Sequence, residues 1–313
     1  MEKILVTGGA GFIGSHVVDR LIKKGKKVIV VDNLSSGNEE NINNSNNVRF
    51  FQIDITDSEN LKALFVQHKD IEGVIHLAAQ SKVTPSVENP LEDATINING
   101  TINLLDLSNK HGVKNFVYAS SAAVYGHTET LPIQEETPAS PLSPYGVSKY
   151  AGEEYVKAYG RLYGMNVSAL RFANVYGPRQ TASTEAGVIT IFIEQLLRKE
   201  QPVIYGDGEQ TRDFIYVDDV VSAVISCLIN DGPSTHNPAF NVSTGEETSI
   251  NQLLTVLCDV FNIDFNPNYE AERPGDIKYS YLSNEKLTSK YQWSPKTQLG
   301  EGLKNTVDYY QFK

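Results

Sequence analysis

The segment SPYGVSKYAGEEY carries Tyr145 and Lys149 four residues apart, near the start of a predicted helix. Residues at this spacing share one helix face, so we expect both side chains to point to the same side. A phenol with its ordinary pKa of about 10 is a poor base at neutral pH, but nearby cations stabilise its phenolate. Ser121, at the end of an earlier predicted strand, is suited to hydrogen-bond a reacting hydroxyl. These residue types predict proton transfer to and from a hydroxyl group.

The order of the motifs along the chain strengthens this interpretation, since a Tyr and a Lys at this spacing also occur by chance. At the N-terminus, Gly8, Gly11 and Gly14 stand between an apolar run and a segment of helical periodicity. A strand, a glycine turn and a helix in this order let the backbone approach a pyrophosphate, which then meets unpaired N–H groups at the helix start. The N-terminus therefore predicts a dinucleotide site.

A second predicted strand, KVIVVD, ends at Asp32. A carboxylate about 20 residues after the glycines is placed to accept hydrogen bonds from an adenosine ribose. A 2′-phosphate would meet a like charge there, and no Arg follows at once to receive it. We therefore expect the cofactor to be NAD rather than NADP.

Composition narrows the class of protein further. The chain has 313 residues, 40% of them hydrophobic, which is enough for a sizeable core. Its formal charge of -11 argues against nonspecific attraction to nucleic acid or to an anionic membrane, so neither is expected as a partner. Cys227, Cys258 and the six histidines show no metal-ligand spacing, and no metal is expected. Reduced cysteines, no N-terminal signal pattern and no long apolar stretch together predict a cytoplasmic protein.

The arrangement of predicted elements indicates the fold class. Apolar strand-like segments alternate with helical segments up to about residue 175, which predicts an α/β fold with a doubly wound parallel sheet. We assign residues 1–174 to a dinucleotide-binding domain and residues 175–313 to a smaller α/β substrate-binding domain. Part of residues 213–243 is expected to return to the first domain. Ligands of such sheets bind beyond the carboxyl ends of the strands, where the motifs above are found.

Over nearly its whole length the chain resembles the extended short-chain dehydrogenase/reductase superfamily. Within it, the chain is similar to the sugar-nucleotide 4-epimerases of the NAD-dependent epimerase/dehydratase family. The motifs that carry this resemblance are TGGAGFIG (7–14), DNLSSG (32–37), HLAAQ (76–80), SSAAVYG (120–126), YGVSK (145–149), LRFANVYGPRQ (170–180), YGDGEQTRDFIYVDDV (205–220) and RPGD (273–276).

The resemblance implies a role for each matching residue. Tyr145 would be the base, Lys149 would hold the nicotinamide ribose and tune Tyr145, and Ser121 would be the small polar partner. The implied NAD-binding set is Gly8, Gly11, Phe12, Ile13, Asp32, Asn33, Ser35, Ser36, Gly37, Asp54, Ile55, Leu77, Ala78, Ala79, Gln80, Asn97, Ser120, Tyr145, Lys149, Phe172 and Val175. The implied set for a UDP-sugar substrate is Lys82, Ser121, Ala122, Tyr145, Asn174, Gly187, Val188, Tyr205, Arg212, Arg273, Asp276 and Ser280.

The same resemblance separates reaction types and substrates. Related dehydratases carry acids directly after the small polar residue, where this chain has Ala122 and Ala123, so the resemblance favours 4-epimerisation through a transient 4-keto sugar. Relatives close the sugar pocket with a bulky residue at the position of Ser280. A small residue there implies that UDP-N-acetylglucosamine is accepted alongside UDP-glucose, each with its galacto epimer.

The sequence leaves three further functions open. Lys82 departs from the commonest epimerase pattern and could contact a uronate carboxylate, which keeps UDP-glucuronate 4-epimerisation open. A nucleotide-sugar dehydratase or reductase is the second, and a noncatalytic NAD-binding scaffold is the third, because the fold alone does not imply activity. The resemblance also implies a homodimer that pairs through helices near residues 99–110 and 146–163.

Overall fold

The computed structural model describes residues 3–181, 187–229, 238–272 and 277–312. Their strands, in chain order, are β1 (Lys3–Thr7), β2 (Lys27–Asp32), β3 (Val48–Gln52), β4 (Ile71–His76), β5 (Asn115–Ser121), β6 (Asn166–Phe172), β7 (Asn174–Tyr176), β8 (Val203–Tyr205), β9 (Thr211–Arg212), β10 (Phe214–Tyr216), β11 (Ala239–Val242), β12 (Thr248–Ser249) and β13 (Asn268–Glu270).

The helices surround these strands. They are α1 (Phe12–Lys23), α2 (Ser58–Gln67), α3 (Val83–Glu88), α4 (Pro90–Ala94), α5 (Gly100–Lys110), α6 (Pro144–Tyr163), α7 (Val188–Leu197), α8 (Val217–Ile229), α9 (Ile250–Phe261), α10 (Glu285–Tyr291) and α11 (Leu299–Gln311). A π-helical turn, Thr95–Asn99, joins α4 to α5. In the described part of the chain, no helix combines the length and the apolar character needed to cross a bilayer.

A seven-stranded parallel sheet is the centre of the molecule, in the order β3-β2-β1-β4-β5-β6-β11. The predicted doubly wound α/β fold is confirmed. Strand order reverses between β1 and β4, where Thr7 lies beside both Val31 and His76. In such sheets this switch point opens a crevice at the carboxyl ends of the strands.

The central strands of the sheet are buried on both faces, which explains why β1 and β2 are almost continuously apolar, whereas the edge strand β3 is only partly buried. In β1, Ile4 and Val6 pack into the core layer that includes α1 and α8, whereas Leu5 packs into the layer that includes α2 and α5. The late strand β11 pairs in parallel with β6 at the sheet edge. The division of the chain into domains at residue 174 stays a prediction.

A buried ion pair joins α6 to β6. The Arg171 guanidinium donates from Nε and Nη2 to the two carboxylate oxygens of Glu153, whose side chain is fully buried. Lys157 also contacts Glu153, at 2.7 Å, and Arg171 Nη1 donates to the Tyr125 hydroxyl. Although burial raises the pKa of Glu153, these cations outweigh it and hold that pKa below its ordinary value. The pair holds the long helix α6 against the sheet in one register.

Replacing Arg171 with Met should lower the free energy of unfolding by about 3–5 kcal/mol, because it leaves Glu153 buried without its main partner. Urea unfolding measures this loss. Arg198→Met is the matched control, because the Arg198 side chain is 60% exposed and its partners Glu194 and Glu200 are surface carboxylates. That control should change stability by less than about 1 kcal/mol. Equal stabilities of the two variants would contradict the structural role of the buried pair.

Candidate active site

The glycine turn after β1 is the tightest part of the site. Gly8 has a φ of +69°, and a Cβ there would lie 2.7 Å from the Ala78 amide nitrogen. A Cβ on Gly14 would overlap the carbonyl oxygen of Gly8. Gly11 caps α1 without a side-chain hydrogen bond, and the first turn of α1 carries no acidic residue. The helix start therefore presents its N–H groups and its positive dipole end to the crevice.

Two carboxylates lie at the carboxyl ends of the next two strands, Asp32 at the end of β2 and Asp54 just after β3. Asp32 Oδ2 accepts a hydrogen bond from the Ala10 amide at 3.0 Å, and its Oδ1 accepts one from the Leu34 amide at 2.9 Å. These bonds aim the carboxylate while leaving each oxygen a free lone pair. Partial burial pushes the pKa of Asp54 upward, but hydrogen bonds from Thr56 and Asn33 outweigh it, and the pKa is lower than usual. Both carboxylates can thus accept ribose or adenine hydrogen bonds.

The segment after β4 is held by an amide clamp. Asn97, in the π-helical turn, accepts from the Gln80 amide at 2.8 Å and donates to the Gln80 carbonyl at 2.9 Å. Its Nδ2 also reaches Asp93 Oδ1 and the Ser148 hydroxyl. The clamp fixes residues 77–80 against α6, so their backbone forms one wall of the crevice.

A neutral histidine supports the same wall from behind. His76 is fully buried between the Thr7 and Thr101 hydroxyls, at 2.8 and 3.0 Å. Burial, with a smaller contribution from Lys149, lowers its pKa to about 3. Thr101 donates its proton to the Asn97 carbonyl, so it accepts from His76 Nε2, and Thr7 must donate to Nδ1. His76 is therefore a structural link between the glycine turn and α5.

Tyr145 and Lys149 lie on the first turns of α6, which Ser143 caps by accepting from the Gly146 amide. Lys149 is 4% exposed, and its Nζ donates to the Ala119 carbonyl at 2.9 Å. That nitrogen lies 6.0 Å from the centre of the Tyr145 ring. Burial lowers the pKa of Lys149 to about 8, against an opposing attraction from Asp93. A buried ammonium thus lies beside the Tyr145 ring at neutral pH.

Ser121 ends β5 and is half-buried. Its Oγ accepts a hydrogen bond from the Ala123 amide at 3.1 Å, which leaves its proton to donate elsewhere. The neighbouring Ser120 hydroxyl donates to the buried Glu153 carboxylate. The two serines therefore differ, because among the described residues Ser120 has an acceptor for its proton and Ser121 has none.

A cavity of about 500 Å³ connects these features. It brings together most of the predicted cofactor residues, namely Gly8, Gly11, Phe12, Ile13, Asp32, Asn33, Ser35, Ser36, Asp54, Ile55, Leu77, Ala78, Ala79, Gln80, Ser120, Tyr145, Lys149 and Phe172. Of the predicted substrate residues, Lys82 and Tyr145 line it.

Other predicted site residues are found away from the cavity wall. Gly37 packs behind Asp32, and Asn97 acts through Gln80 as described above. Tyr205 lines a separate cavity of about 200 Å³, and Arg212 donates to the Thr211 and Ile277 carbonyls. Arg273 and Asp276 lie outside the described residues. Like Gly37, Asn97 and Arg212, the remaining predicted residues line neither cavity: Ser121, Ala122, Asn174, Val175, Gly187, Val188 and Ser280.

Several cavity residues were absent from the predicted set: Gly14, Ile53, Ser81, Pro85, Glu92, Ile96 and Ala119. Gly14 belongs to the glycine motif at the start of α1, so its position in the sequence was enough to predict that it lines the cavity. Ala119 precedes the predicted Ser120 on β5, so strand position pointed to it. Nothing local marks Glu92 or Ile96, because the packing of α4 and the π-helical turn brings them to the wall.

The fold and the site together define a dinucleotide-dependent enzyme with a Tyr–Lys pair in the wall of its cofactor crevice. The model of the NAD dependent epimerase/dehydratase family matches residues 4–243, and the chain belongs to this family.

Individual relatives are similar over the full length. A putative UDP-glucose 4-epimerase of Methanocaldococcus jannaschii is 46% identical over 98% of this chain and 97% of that protein. The structure of the Thermotoga maritima UDP-glucose 4-epimerase with UDP-glucose matches with a TM-score of 0.94 at 47% identity, covering 99% of each chain. The UDP-N-acetylglucosamine 4-epimerase of Methanobrevibacter ruminantium, in complex with UDP-N-acetylmuramic acid, matches with a TM-score of 0.93 at 39% identity, covering 99% of this chain and 98% of the other.

The residues present fit NAD, the cofactor of the family. Side chains are excluded at Gly8 and Gly14, and the start of α1 offers uncapped N–H groups for a pyrophosphate. Asp32 and Asp54 line the same cavity and offer carboxylate acceptors suited to ribose or adenine hydrogen bonds. A volume of about 500 Å³ lies within the range of about 300–1,000 Å³ that is usual for ligand sites.

Gly14→Ala should lower NAD occupancy, because the added methyl group overlaps the Gly8 carbonyl and displaces the turn. A strain of about 1–3 kcal/mol corresponds to roughly 5- to 150-fold weaker NAD binding. NAD released by acid from the purified protein measures the occupancy. Gly300→Ala is the control, since the nearest atom to its Cβ would be 3.8 Å away. Equal NAD content in the two variants would be evidence against the proposed approach of the turn to the cofactor.

Proposed function

We propose that this protein is a UDP-sugar 4-epimerase. It would interconvert UDP-glucose with UDP-galactose, and UDP-N-acetylglucosamine with UDP-N-acetylgalactosamine. The observation that supports this most is the position of Tyr145 and Lys149, which line the cavity that begins at the glycine turn. A base at the end of a dinucleotide crevice is arranged for reversible oxidation of a substrate hydroxyl.

In the proposed reaction, bound NAD supplies a hydride acceptor that later gives the hydride back. Tyr145 Oη takes the proton of the sugar 4-hydroxyl and returns it to the 4-oxygen at the end. The Lys149 ammonium stabilises the Tyr145 phenolate, because an opposite charge favours the ionised form of a neighbouring group. Ser121, with its proton free to donate, holds the reacting oxygen in line with Tyr145.

Inversion at C4 requires the transient 4-keto sugar to turn, so that the hydride would return to the opposite face of C4 while Tyr145 gives the proton back to the 4-oxygen. The residues after Ser121 favour this outcome over elimination. Ala122 and Ala123 carry no proton donor, so the 4-keto sugar is not drawn into loss of water. Tyr145 is then the proton carrier in both directions, consistent with no net oxidation.

The diphosphate would be held outside the main cavity. Arg212 donates from Nη1 to two backbone carbonyls, Thr211 at 2.7 Å and Ile277 at 2.6 Å, and these bonds fix the plane of its guanidinium. A fixed planar fork suits paired phosphate oxygens. Together with Arg273, it would anchor the nucleotide while the sugar turns.

We also propose that the protein pairs through α5 and α6 as a homodimer. Helix α6 carries exposed apolar side chains that a partner helix would cover, including Val147, Tyr155 and Leu162 at 51%, 42% and 72% exposure. Exposed apolar side chains in a row are typical of association surfaces.

Purified protein, incubated with each UDP-sugar and no added NAD, should form the 4-epimer of both UDP-glucose and UDP-N-acetylglucosamine, followed by proton NMR. Tyr145→Phe should reduce the rate by about 10²–10⁴-fold, because the base is lost. Turnover of UDP-glucose alone would overturn the N-acetyl assignment based on Ser280. Turnover of UDP-glucuronate alone would identify the protein as a UDP-glucuronate 4-epimerase, with Lys82 as the contact of the uronate carboxylate. No epimer from any of the three would refute the proposed function.

The pH profile should report the Lys149 ammonium. As pH rises through about 8, Lys149 loses its proton, the positive charge beside Tyr145 disappears, and the phenolate loses its stabilisation. The kcat/KM should therefore fall on the alkaline side near that pH. Initial rates across the pH range test this, with circular dichroism at each pH to show that the fold persists. A profile that stays flat well above pH 8 would show that Lys149 is not required as a cation.

A further inference from the structure

A buried carboxylate in α4 has no part in the reaction proposed above. Asp93 is 1% exposed, and its Oδ1 accepts hydrogen bonds from Gln80 Nε2 at 2.9 Å and from Asn97 Nδ2 at 3.1 Å. Its other oxygen, Oδ2, has no hydrogen-bond partner among the described residues. A buried carboxylate oxygen without a partner is costly, so a compensating positive charge is expected close to it.

The groups around Asp93 identify that charge. Helix α4 packs against α6, whose buried cation is Lys149 at 4% exposure, and the nearby carboxylate of Asp93 favours the charged form of this lysine. Asn97 joins the two, since the same amide that donates to Asp93 also contacts the Ser148 hydroxyl, one residue before Lys149.

The other titratable groups that face Lys149 come from three elements. The centre of the Tyr118 ring on β5 lies 5.3 Å from Lys149 Nζ. Burial raises the pKa of Tyr118, so this side chain is neutral. His76 on β4 is neutral because burial lowers its pKa to about 3. Tyr145 lies one turn earlier on α6. Glu153, one turn later, is already paired with Arg171 and Lys157.

We propose that Asp93 is a positioning residue that keeps the Lys149 ammonium charged beside Tyr145. This inference rests on the role of Lys149 in the proposed function. Asp93 does so as a fixed negative charge, with Oδ1 held by the clamp of Gln80 and Asn97 and Oδ2 left to act on Lys149 by its field. The same clamp shapes the cavity wall, so one carboxylate couples the wall to the charge of the site.

Burial and Asp93 act in opposite directions on the pKa of Lys149. Burial lowers the pKa of this residue to about 8, and the attraction of Asp93 works against that fall. Without the negative charge, the pKa moves further down, and the ammonium is lost in the neutral range. Tyr145 then keeps its proton at the pH where the wild type is active.

Asp93→Asn isolates the charge. Its amide oxygen can still accept from Gln80 and Asn97, so the clamp is kept while the negative charge is removed. Glu88→Gln is the matched control, because it removes one carboxylate from an exposed position on the neighbouring helix α3. Asp93→Ser, a second variant without the charge, takes the place of Asp93→Asn if circular dichroism shows that the latter is unfolded.

The first readout needs no turnover. Carbon-13 NMR of ε-labelled lysine follows the titration of Lys149, with its signal assigned by its absence in Lys149→Met. The pKa of Lys149 should fall by roughly 1 unit or more in Asp93→Asn, the usual size of a close charge effect. It should stay unchanged in Glu88→Gln. An unchanged Lys149 titration in folded Asp93→Asn overturns the inference.

The second readout is the pH dependence of epimerisation. The alkaline limb of kcat should move to lower pH in Asp93→Asn by the same amount, with KM for the UDP-sugar little altered, and activity should recover toward wild type as the pH is lowered. A uniform loss of activity at every pH would indicate a merely structural role and contradict the proposal. If the wild type forms no 4-epimer, the proposed function fails, and the NMR titration still decides whether Asp93 sets the charge of Lys149.

Discussion

One buried hydrogen bond, from Lys149 Nζ to the Ala119 carbonyl, ties the helix that carries Tyr145 to the strand that ends in Ser121. The ammonium must be desolvated to make this bond, and burial lowers its pKa to about 8. The rest of the site compensates for that desolvation. Asp93 supplies negative charge from α4, and His76 stays neutral, so it adds no competing positive charge.

The second constraint is the close approach of the turn after β1 to the end of β4. The backbone at Gly8 leaves no room for a Cβ, which would lie 2.7 Å from the Ala78 amide nitrogen, and the hydroxyl of Thr7 accepts from the same amide at 3.3 Å. His76 and Asn97 extend this contact to α5 and α6. The cofactor crevice and the Tyr–Lys pair are therefore parts of one hydrogen-bonded structure, which explains how a turn and a helix far apart in the chain keep a fixed relation.

Most of the residues that line the main cavity could be predicted from the sequence, because their signals are local. Gly8, Asp32 and the segment around Ala78 each follow an apolar strand directly, and parallel strands bring their carboxyl ends to one edge. The residues predicted to hold the substrate were harder to bring together from the sequence. Whether Arg212 and Tyr205 share a wall with Tyr145 depends on short strands and loops from distant parts of the chain, and the structure places Tyr205 on a separate cavity.

Asp93 had no local signal at all. In the sequence it is one acidic residue of a short polar helix, a pattern typical of an exposed face. Its burial results from the packing of α4 against α6, which periodicity over five residues cannot reveal. In the same way, the return of β11 to the sheet was expected only in outline, because its pairing with β6 depends on tertiary contacts rather than on its four residues.

The account depends most on one claim, that a hydride leaves C4 of the sugar and returns to it within the same protein molecule. UDP-glucose labelled with deuterium at C4, incubated in ordinary water without added NAD, tests this claim by NMR and mass spectrometry of the product. Retention of the deuterium at C4 of UDP-galactose is the predicted result, since the hydride does not exchange with solvent. Replacement of that deuterium by solvent hydrogen in the epimer would contradict the account.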